Sequence, residues 1–222
     1  MPPTADELIE AISDTVGSLV GIGAIAASAD NDRFEAYAWS IVVRAAIAEN
    51  AVVTYRDPDK TEVTDLLFRT SPGSISSKAQ PFTHALIQFP EKPELEAHIG
   101  IKIQGKSRVP HECDVVVLPS VEADTCRISN THPRHSSVVI AAECKYYYSN
   151  LPFRLSREFL GLCKEMRAVD CYFAVNTSKE SVEKVLAYYR CHCETLVLPS
   201  ASGSETLLHA FRKAFRDFKR LN

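Results

Sequence analysis

The feature that most constrains this chain is a set of charged residues inside two apolar, β-branched runs. Residues 111–117 read HECDVVV and residues 138–147 read VVIAAECKYY, which place Asp114 in one run and Glu143 and Lys145 in the other. A core strand gains nothing from unpaired charge, because removing a carboxylate or an ammonium from water costs several kcal/mol unless the group is paired or binds a metal ion. The charged residues therefore predict a site.

The composition predicts one domain over residues 1–222, because 45% of the residues are hydrophobic and can form one sizeable core. Seven cysteines, an odd number, lie mostly in strand-like or helix-like runs, as is typical of a reducing cytosol. The acidic start MPPTADELIEAISD does not resemble a signal peptide, and no apolar stretch approaches the roughly 18 residues needed to cross a bilayer. We therefore expect a cytoplasmic protein without a membrane segment.

Hydrophobic periodicity predicts the order of the elements. A helix capped at Asp30 or Asn31 is expected through RFEAYAWSIVVRAAIAEN, whereas residues 50–93 give no clear order. Three antiparallel strands are then expected in EAHIGIKIQGK, CDVVVLP and VVIAAECKYYY. The remaining elements are expected to be a helix capped at Ser156, the strand CYFAVN, the helix SVEKVLAYYR, the strand ETLVLP and a helix opened by Ser204. This order predicts an α/β fold with a mixed central β-sheet flanked by helices on both faces.

Strand alternation predicts how the charged residues meet. Glu143 and Lys145 share one face of their strand, and Cys144 between them points into the other layer. If CDVVVLP forms the neighbouring strand, Asp114 can approach Glu143 across the pair. Two carboxylates this close repel each other, and a hard divalent cation with oxygen ligands is the usual relief.

Asp114, followed by Glu143-Cys144-Lys145 on the next strand with a helix on either side, resembles the PD-(D/E)XK nuclease superfamily, the restriction-endonuclease-like fold. The resemblance covers about residues 31–176. It implies an αβββαβ core, preceded here by an N-terminal helical segment and followed by a C-terminal α/β extension. Cys113 stands where the family pattern has proline. The polar, basic connection over about residues 119–137 is expected to form a loop above the cleft.

The resemblance also implies a site and an activity. Asp114, Glu143 and the backbone carbonyl of Cys144 would hold Mg²⁺ or Mn²⁺, Lys145 would orient or help deprotonate the attacking water, and Glu35 would complete the metal site or bind its water. The implied activity is metal-dependent endonucleolytic hydrolysis of phosphodiester bonds, with DNA as the expected substrate, in a bacterial defence, repair or mobile-element setting. Because duplex cleavage usually needs two sites, a homodimer or higher homo-oligomer is expected.

The net charge of −3 means that contacts with nucleic acid must be local. The candidates for such contacts are His111 before the strand of Asp114, Arg127 and Arg134 in the basic connection, and Arg154 and Arg157 in the following helix. The basic C-terminal run HAFRKAFRDFKRLN is a further candidate, although its apolar spacing fits the solvated face of a docked helix.

Other interpretations of the same residues stay open. Asp114, Glu143 and Lys145 could form plain ion pairs on a different α/β fold, and Glu35 could be a solvated helix residue. The chain could also be a non-catalytic module that binds nucleic acid or a partner on the same fold. A third possibility is a nuclease switched on by a signal or partner bound at the loop SPGSISSKAQP and the C-terminal half.

Overall fold

The computed structural model describes residues 3–17, 20–166 and 171–222. In these ranges the helices are α1 (Ala5–Val16), α2 (Gly23–Ala26), α3 (Asp30–Ala48), α4 (Ser120–Ser129), α5 (Arg154–Glu165), α6 (Glu180–Tyr188) and α7 (Ser202–Leu221). The strands are β1 (Val52–Arg56), β2 (His84–Gln88), β3 (Leu95–Gln104), β4 (Pro110–Pro119), β5 (Ile140–Lys145), β6 (Cys171–Val175) and β7 (His192–Glu194).

The strands form one mixed sheet in chain order. Strands β1 to β5 pair with antiparallel neighbours, and β5, β6 and β7 pair in parallel. Parallel neighbours need a crossover connection, and here α5 joins β5 to β6 and α6 joins β6 to β7. The predicted mixed sheet and the three antiparallel strands, now β3, β4 and β5, are confirmed.

Two apolar layers cover the sheet, one on each face. The first contains the buried residues of α1, α3 and α7, including Trp39 and Phe211, and the second contains those of α4, α5 and α6, including Phe159. Trp39 also donates a hydrogen bond from its indole N–H to the backbone carbonyl of Ala97 on β3, at 3.1 Å. The prediction of helices on both faces is therefore confirmed.

The connection between β4 and β5 differs from the predicted loop, because its first half is the helix α4. Ala123 and Cys126, three residues apart, are buried against the sheet, and this burial stabilises a helix that polar composition had suggested to be irregular. Asn130 ends α4 in the left-handed conformation that often terminates helices.

Four further predictions of element boundaries are wrong. Neither Asp30 nor Asn31 caps α3, because this helix begins at Asp30 and Ala29 occupies its N-cap position. The stretch ETLVLP is not a strand, because β7 ends at Glu194 and Leu196 has a positive φ of 55°. Ser156 lies inside α5 and Ser204 inside α7, where their hydroxyls donate to the carbonyls of Phe153 and Leu198 instead of capping a helix. None of the helices in the described ranges combines the length and the apolar character that a membrane crossing requires.

Gly100 interrupts the alternation of β3. The pair Ile99 and Val115 belongs to the layer of α3, whereas the pair Ile101 and Cys113 belongs to the layer of α5. Residues two apart on a regular strand share a face, so β3 and β4 change sides between these two pairs. Gly100 has a φ of 61°, in the left-handed region that a residue without a Cβ adopts without strain.

We expect Gly100→Ala to lower the free energy of unfolding by about 1–2 kcal/mol, because an added Cβ makes the left-handed conformation unfavourable. The added carbon would meet Arg69 Cβ at an ordinary 3.5 Å, so the cost comes from the backbone and not from a clash. The matched control is Gly161→Ala inside α5, where an added Cβ has no heavy atom within 4 Å. This control should raise stability by about 0.5–1 kcal/mol. Urea denaturation that gives both variants the same effect would contradict the role of the positive φ.

Candidate active site

Strands β4 and β5 separate at Asp114. Their ladder pairs Val115 with Ala142 and is not continued toward the end of β5. Beyond this pair, the backbone N–H of Cys144 donates to Oδ2 of Asp114 at 2.7 Å. Because a buried N–H needs an acceptor, the carboxylate replaces the missing rung of the sheet and fixes its own position by doing so. Asp114 lies where β4 changes sides, which directs its side chain between the two strands.

Lys145 bridges two carboxylates at the end of β5. Its Nζ lies 2.6 Å from Glu143 Oε1 and 3.2 Å from Asp114 Oδ2. Burial alone would lower the pKa of Lys145, but Asp114 and Glu143 outweigh burial and raise this pKa above its ordinary value. Cys144 lies in the opposite apolar layer, so the predicted sharing of a face by Glu143 and Lys145 is confirmed.

A cavity of about 300 Å³ opens at this point. Helix α3 contributes Glu35 to it, β4 and β5 contribute the charged strand ends, and α5 closes one side. The lining residues are Glu35, His111, Glu112, Asp114, Glu143, Lys145, Glu158, Phe159 and Leu162. This lining contains five carboxyl groups and one ammonium, so the cavity is strongly negative when its carboxyl groups are ionised.

Three carboxyl groups of the cavity, those of Glu35, Glu112 and Glu143, resist ionisation. Burial and then the neighbouring Asp114 raise the pKa of Glu35 to about 9. The same two causes raise the pKa of Glu143 to about 7, from an ordinary value of 4.5, and they also raise the pKa of Glu112. Like charges held this close need either protons or a cation. An array of carboxylate oxygens is the donor type that Mg²⁺ and Mn²⁺ prefer, so the residues present fit such an ion.

Among the residues predicted to contact nucleic acid, His111 and Arg134 lie near the end of β3 and Arg127 lies near its start. His111 lines the cavity, where its Nε2 lies 3.5 Å from Glu165 Oε2. The backbone of Arg134 forms an isolated β-bridge with Gln104, and Gln104 pairs with Pro110, the neighbour of His111. Arg134 therefore lies at the same end of the sheet as His111. The Arg134 side chain is 68% exposed.

Arg154 and Arg157 are exposed in the first turns of α5, within five residues of the cavity residues Glu158 and Phe159. The guanidinium carbon of Arg157 lies 5.2 Å from the centre of the Phe153 ring. Both side chains therefore remain candidates for contact with phosphate.

The prediction that Arg127 contacts nucleic acid does not fit the structure. It lies on α4, is only 12% exposed, and donates to both oxygens of the buried Glu96 at 2.9 and 2.5 Å. Glu96 pairs with Leu118, at the end of β4 remote from Asp114. The guanidinium of Arg127 is therefore bound in an internal ion pair and is not presented to nucleic acid at the cavity.

Three cavity residues, Glu112, Phe159 and Leu162, were missed from the sequence. Glu112 lies two residues before Asp114, and strand alternation could have indicated that it approaches the same site. Phe159 was not singled out because an apolar residue on an amphipathic helix reads as core, and it is indeed buried as well as lining the cavity.

Without divalent cations, we expect the free energy of unfolding to fall as pH rises from about 5 to 9. Folded Glu35 and Glu143 keep their protons up to pH values of about 9 and 7, whereas the unfolded chain loses them near its ordinary pKa of 4.5. In this window the folded state binds more protons, so deprotonation favours unfolding, by up to about 1.4 kcal/mol per pH unit and per carboxyl group.

Urea denaturation in a chelator at pH 5.5, 7 and 8.5 measures this dependence. Glu35→Gln should flatten it, and Mg²⁺ should restore stability to the wild type at pH 8.5. The control is Glu180→Gln, whose side chain is 79% exposed. A Glu35→Gln slope equal to that of the wild type would contradict the assignment.

Comparisons with known proteins return no relative of this chain, because no family model, no curated protein and no solved structure matches it. A function for the cavity therefore has to follow from its own residues.

Proposed function

We propose that this chain is a metal-dependent nuclease that hydrolyses phosphodiester bonds of DNA on a restriction-endonuclease-like core. The observation that carries the proposal is the meeting of Asp114, Glu143 and Lys145 at two adjacent strand ends, with Glu35 reaching the same cavity from α3. The order of elements supports the fold assignment. Helix α3 precedes the antiparallel strands β3, β4 and β5, and α5 leads to β6, which is parallel to β5.

The charge of the cavity supports a cation-dependent reaction. A lining with five carboxyl groups and one ammonium repels a phosphodiester unless a cation is bound first. Asp114, Glu143 and Glu112 are placed to hold Mg²⁺ or Mn²⁺. Such an ion would supply Lewis-acid neutralisation of the charge that develops on the phosphate.

The protein groups have separate tasks in this scheme. Lys145, held charged by its two carboxylates, can orient water or stabilise negative charge on the phosphate oxygens. Glu35 has a pKa of about 9 in the cation-free protein, so it holds a proton at neutral pH and can donate a hydrogen bond into the cavity. Asp114 keeps the strands apart, and its contact with the Cys144 N–H limits the movement of its carboxylate.

A non-catalytic module is the second candidate, and the pairing of Lys145 favours it. The ammonium already contacts both Glu143 and Asp114, as it would in a structural ion-pair cluster. The two candidates differ in their need for Lys145. Binding of DNA by a module would survive its removal, whereas a nuclease would lose turnover.

We expect Asp114→Asn, Glu143→Gln and Lys145→Ala each to lower cleavage of supercoiled plasmid in Mg²⁺ by about 10²-fold or more, because each removes charge that the reaction uses. Lys145→Ala should keep Mn²⁺ affinity in calorimetry, whereas Glu143→Gln should weaken it. The surface variant Glu180→Gln is the matched control for charge loss and should cleave like the wild type. Wild-type protein that cuts neither plasmid nor single-stranded oligonucleotides in Mg²⁺ or Mn²⁺ would favour the non-catalytic module.

The double variant Arg154→Ala/Arg157→Ala, and separately Arg134→Ala, should weaken DNA binding about equally for all sequences. Each lost phosphate contact should lower the slope of log affinity against log salt by roughly one. The control is Lys213→Ala/Arg220→Ala on α7, where both side chains are exposed and no cavity residue lies. Filter binding at several salt concentrations measures the slopes. A reduced slope in the control alone would show that the DNA-binding surface lies on α7 and would contradict the assignment of Arg134, Arg154 and Arg157.

Cleavage of both strands of a duplex usually needs two such cavities, so we also propose that the nuclease acts as a homodimer or higher homo-oligomer.

A further inference from the structure

A second polar cluster lies inside the protein, apart from the acidic cavity. His84 on β2 and Glu96 and His98 on β3 are each about 1% exposed. Glu96 and His98 are two residues apart and share a face of β3. The neighbouring strand brings His84 beside them, so that the two imidazole rings stack with centres 4.8 Å apart. Three metal-ligating side chains on adjacent strands are thus held by the sheet itself.

The ligand atoms of this cluster converge on one point. His98 Nε2 lies 2.8 Å and His84 Nε2 lies 3.7 Å from the same oxygen, Glu96 Oε2. One ligand atom from each of the three residues falls within 4.8 Å of the others. In a tetrahedral zinc site, bond lengths near 2.0–2.1 Å place ligand atoms about 3.3 Å apart. These two separations bracket this value and the third, between the two imidazoles, lies within 4.8 Å, so a shift of one imidazole would bring the three ligand atoms around an ion.

Arg127 leaves one lone-pair site of Glu96 Oε2 facing the histidines. An ionised carboxylate has about four lone-pair sites, two on each oxygen. The guanidinium occupies one on Oε1 and one on Oε2, at 2.9 and 2.5 Å. The second site on Oε2 is hydrogen-bonded to His98 Nε2 at 2.8 Å, and a cation bound there would replace the proton between the two atoms. Arg127 is itself held by Asp124 at 3.0 Å, so it orients the carboxylate as the outer partners of metal ligands usually do.

The imidazole rings carry nitrogens that the fold leaves unpaired. Within the described part of the chain, Nδ1 of His84 and Nδ1 of His98 are buried without a hydrogen-bond partner. Imidazole nitrogen is the commonest metal ligand among protein side chains.

The segment before β2 closes the cluster. The Phe82 ring centre lies 6.3 Å from that of His98, and the guanidinium carbon of Arg69 lies 3.8 Å from the centre of the Phe82 ring. Arg69 donates in turn to the carbonyls of Ser74 and Ser77. An ion at the histidines would therefore be enclosed, which fits a structural role better than a catalytic one.

We propose that His84, Glu96 and His98 form a binding site for one divalent transition-metal ion of the Zn²⁺ class. Two imidazoles and one carboxylate suit zinc and its neighbours, whereas Mg²⁺ prefers oxygen ligands alone. The site joins β2 to β3 beneath α4. It is separate from the acidic cavity, because Glu96 and His98 pair with Leu118 and Val116, whereas Lys102, farther along β3, pairs with the cavity residue Glu112.

The test begins with metal-stripped protein and Zn²⁺ alone. Equilibrium dialysis with elemental analysis should give one zinc per chain at saturation. His84→Gln and His98→Gln should each lower zinc affinity at least about tenfold, since loss even of a group that only orients a ligand costs that much. His209→Gln, at an exposed position, and Glu143→Gln, in the acidic cavity, should bind zinc like the wild type. The last control separates this site from the proposed nuclease centre.

Three results would overturn the proposal. The first is no zinc retained by the wild type, and the second is unchanged affinity in folded His84→Gln and His98→Gln, with folding checked by circular dichroism. The third is binding through the neighbouring thiols of Cys163, Cys171 and Cys191, visible as a sulfur charge-transfer band with Co²⁺ that is lost in Cys191→Ser. If the histidine variants do not fold, ring-nitrogen NMR shifts of the wild type decide. Two histidines should respond to Zn²⁺, and no response would equally overturn the proposal.

Discussion

The hydrogen bond from the Cys144 N–H to Asp114 is the interaction on which the candidate site depends. It ends the β4–β5 ladder without leaving a buried donor unpaired, and so it lets the two strands diverge around a cavity. The divergence does not loosen β5, because Glu143 and Lys145 still pair in parallel with Phe173 and Val175 of β6. The charged side chains therefore stand on a strand that is fixed from one side and open on the other, which is the support that a precise site needs.

The protein holds buried carboxyl groups in two opposite ways. Burial alone would raise the pKa of Glu96, but hydrogen bonds from His98 and Arg127 outweigh burial and lower it, so Glu96 is ionised and matched. Burial and Asp114 act in the same direction on Glu143 and raise its pKa to about 7. The first arrangement stabilises the fold as it stands. The second leaves unfavourable repulsion that a bound cation can relieve, and such sites are frequent where proteins carry out chemistry.

Local pattern was enough to predict the mixed sheet and the shared face of Glu143 and Lys145, because side-chain alternation is a property of any strand. It was not enough for α4, where polar composition concealed the buried spacing of Ala123 and Cys126. The role of Arg127 was misjudged for a different reason, because its partner Glu96 is distant in sequence. The histidine cluster needed the pairing of β2 with β3, and the sequence gives no clear order of elements around His84. Long-range strand pairing is what a single sequence shows least.

Strands β3 and β4 link the two proposed sites, because β3 carries Glu96 and His98, β4 carries Asp114, and both strands change sides between the pairs Ile99–Val115 and Ile101–Cys113. On β3, the residues before Gly100 include Glu96 and His98, which face an enclosed space under α4 and contribute to a donor set with two imidazole nitrogens. On β4, in the register position opposite Gly100, Asp114 turns toward β5 and lines an open cavity whose ligand atoms are mainly carboxylate oxygens. Nitrogen ligands favour zinc-like ions and carboxylates favour magnesium-like ions, so the donor atoms of each proposed site are enough to determine which of the two cations it prefers. The proposed ion that would hold β2 to β3 is thereby kept apart from the proposed ion that would act on phosphate between β4 and β5.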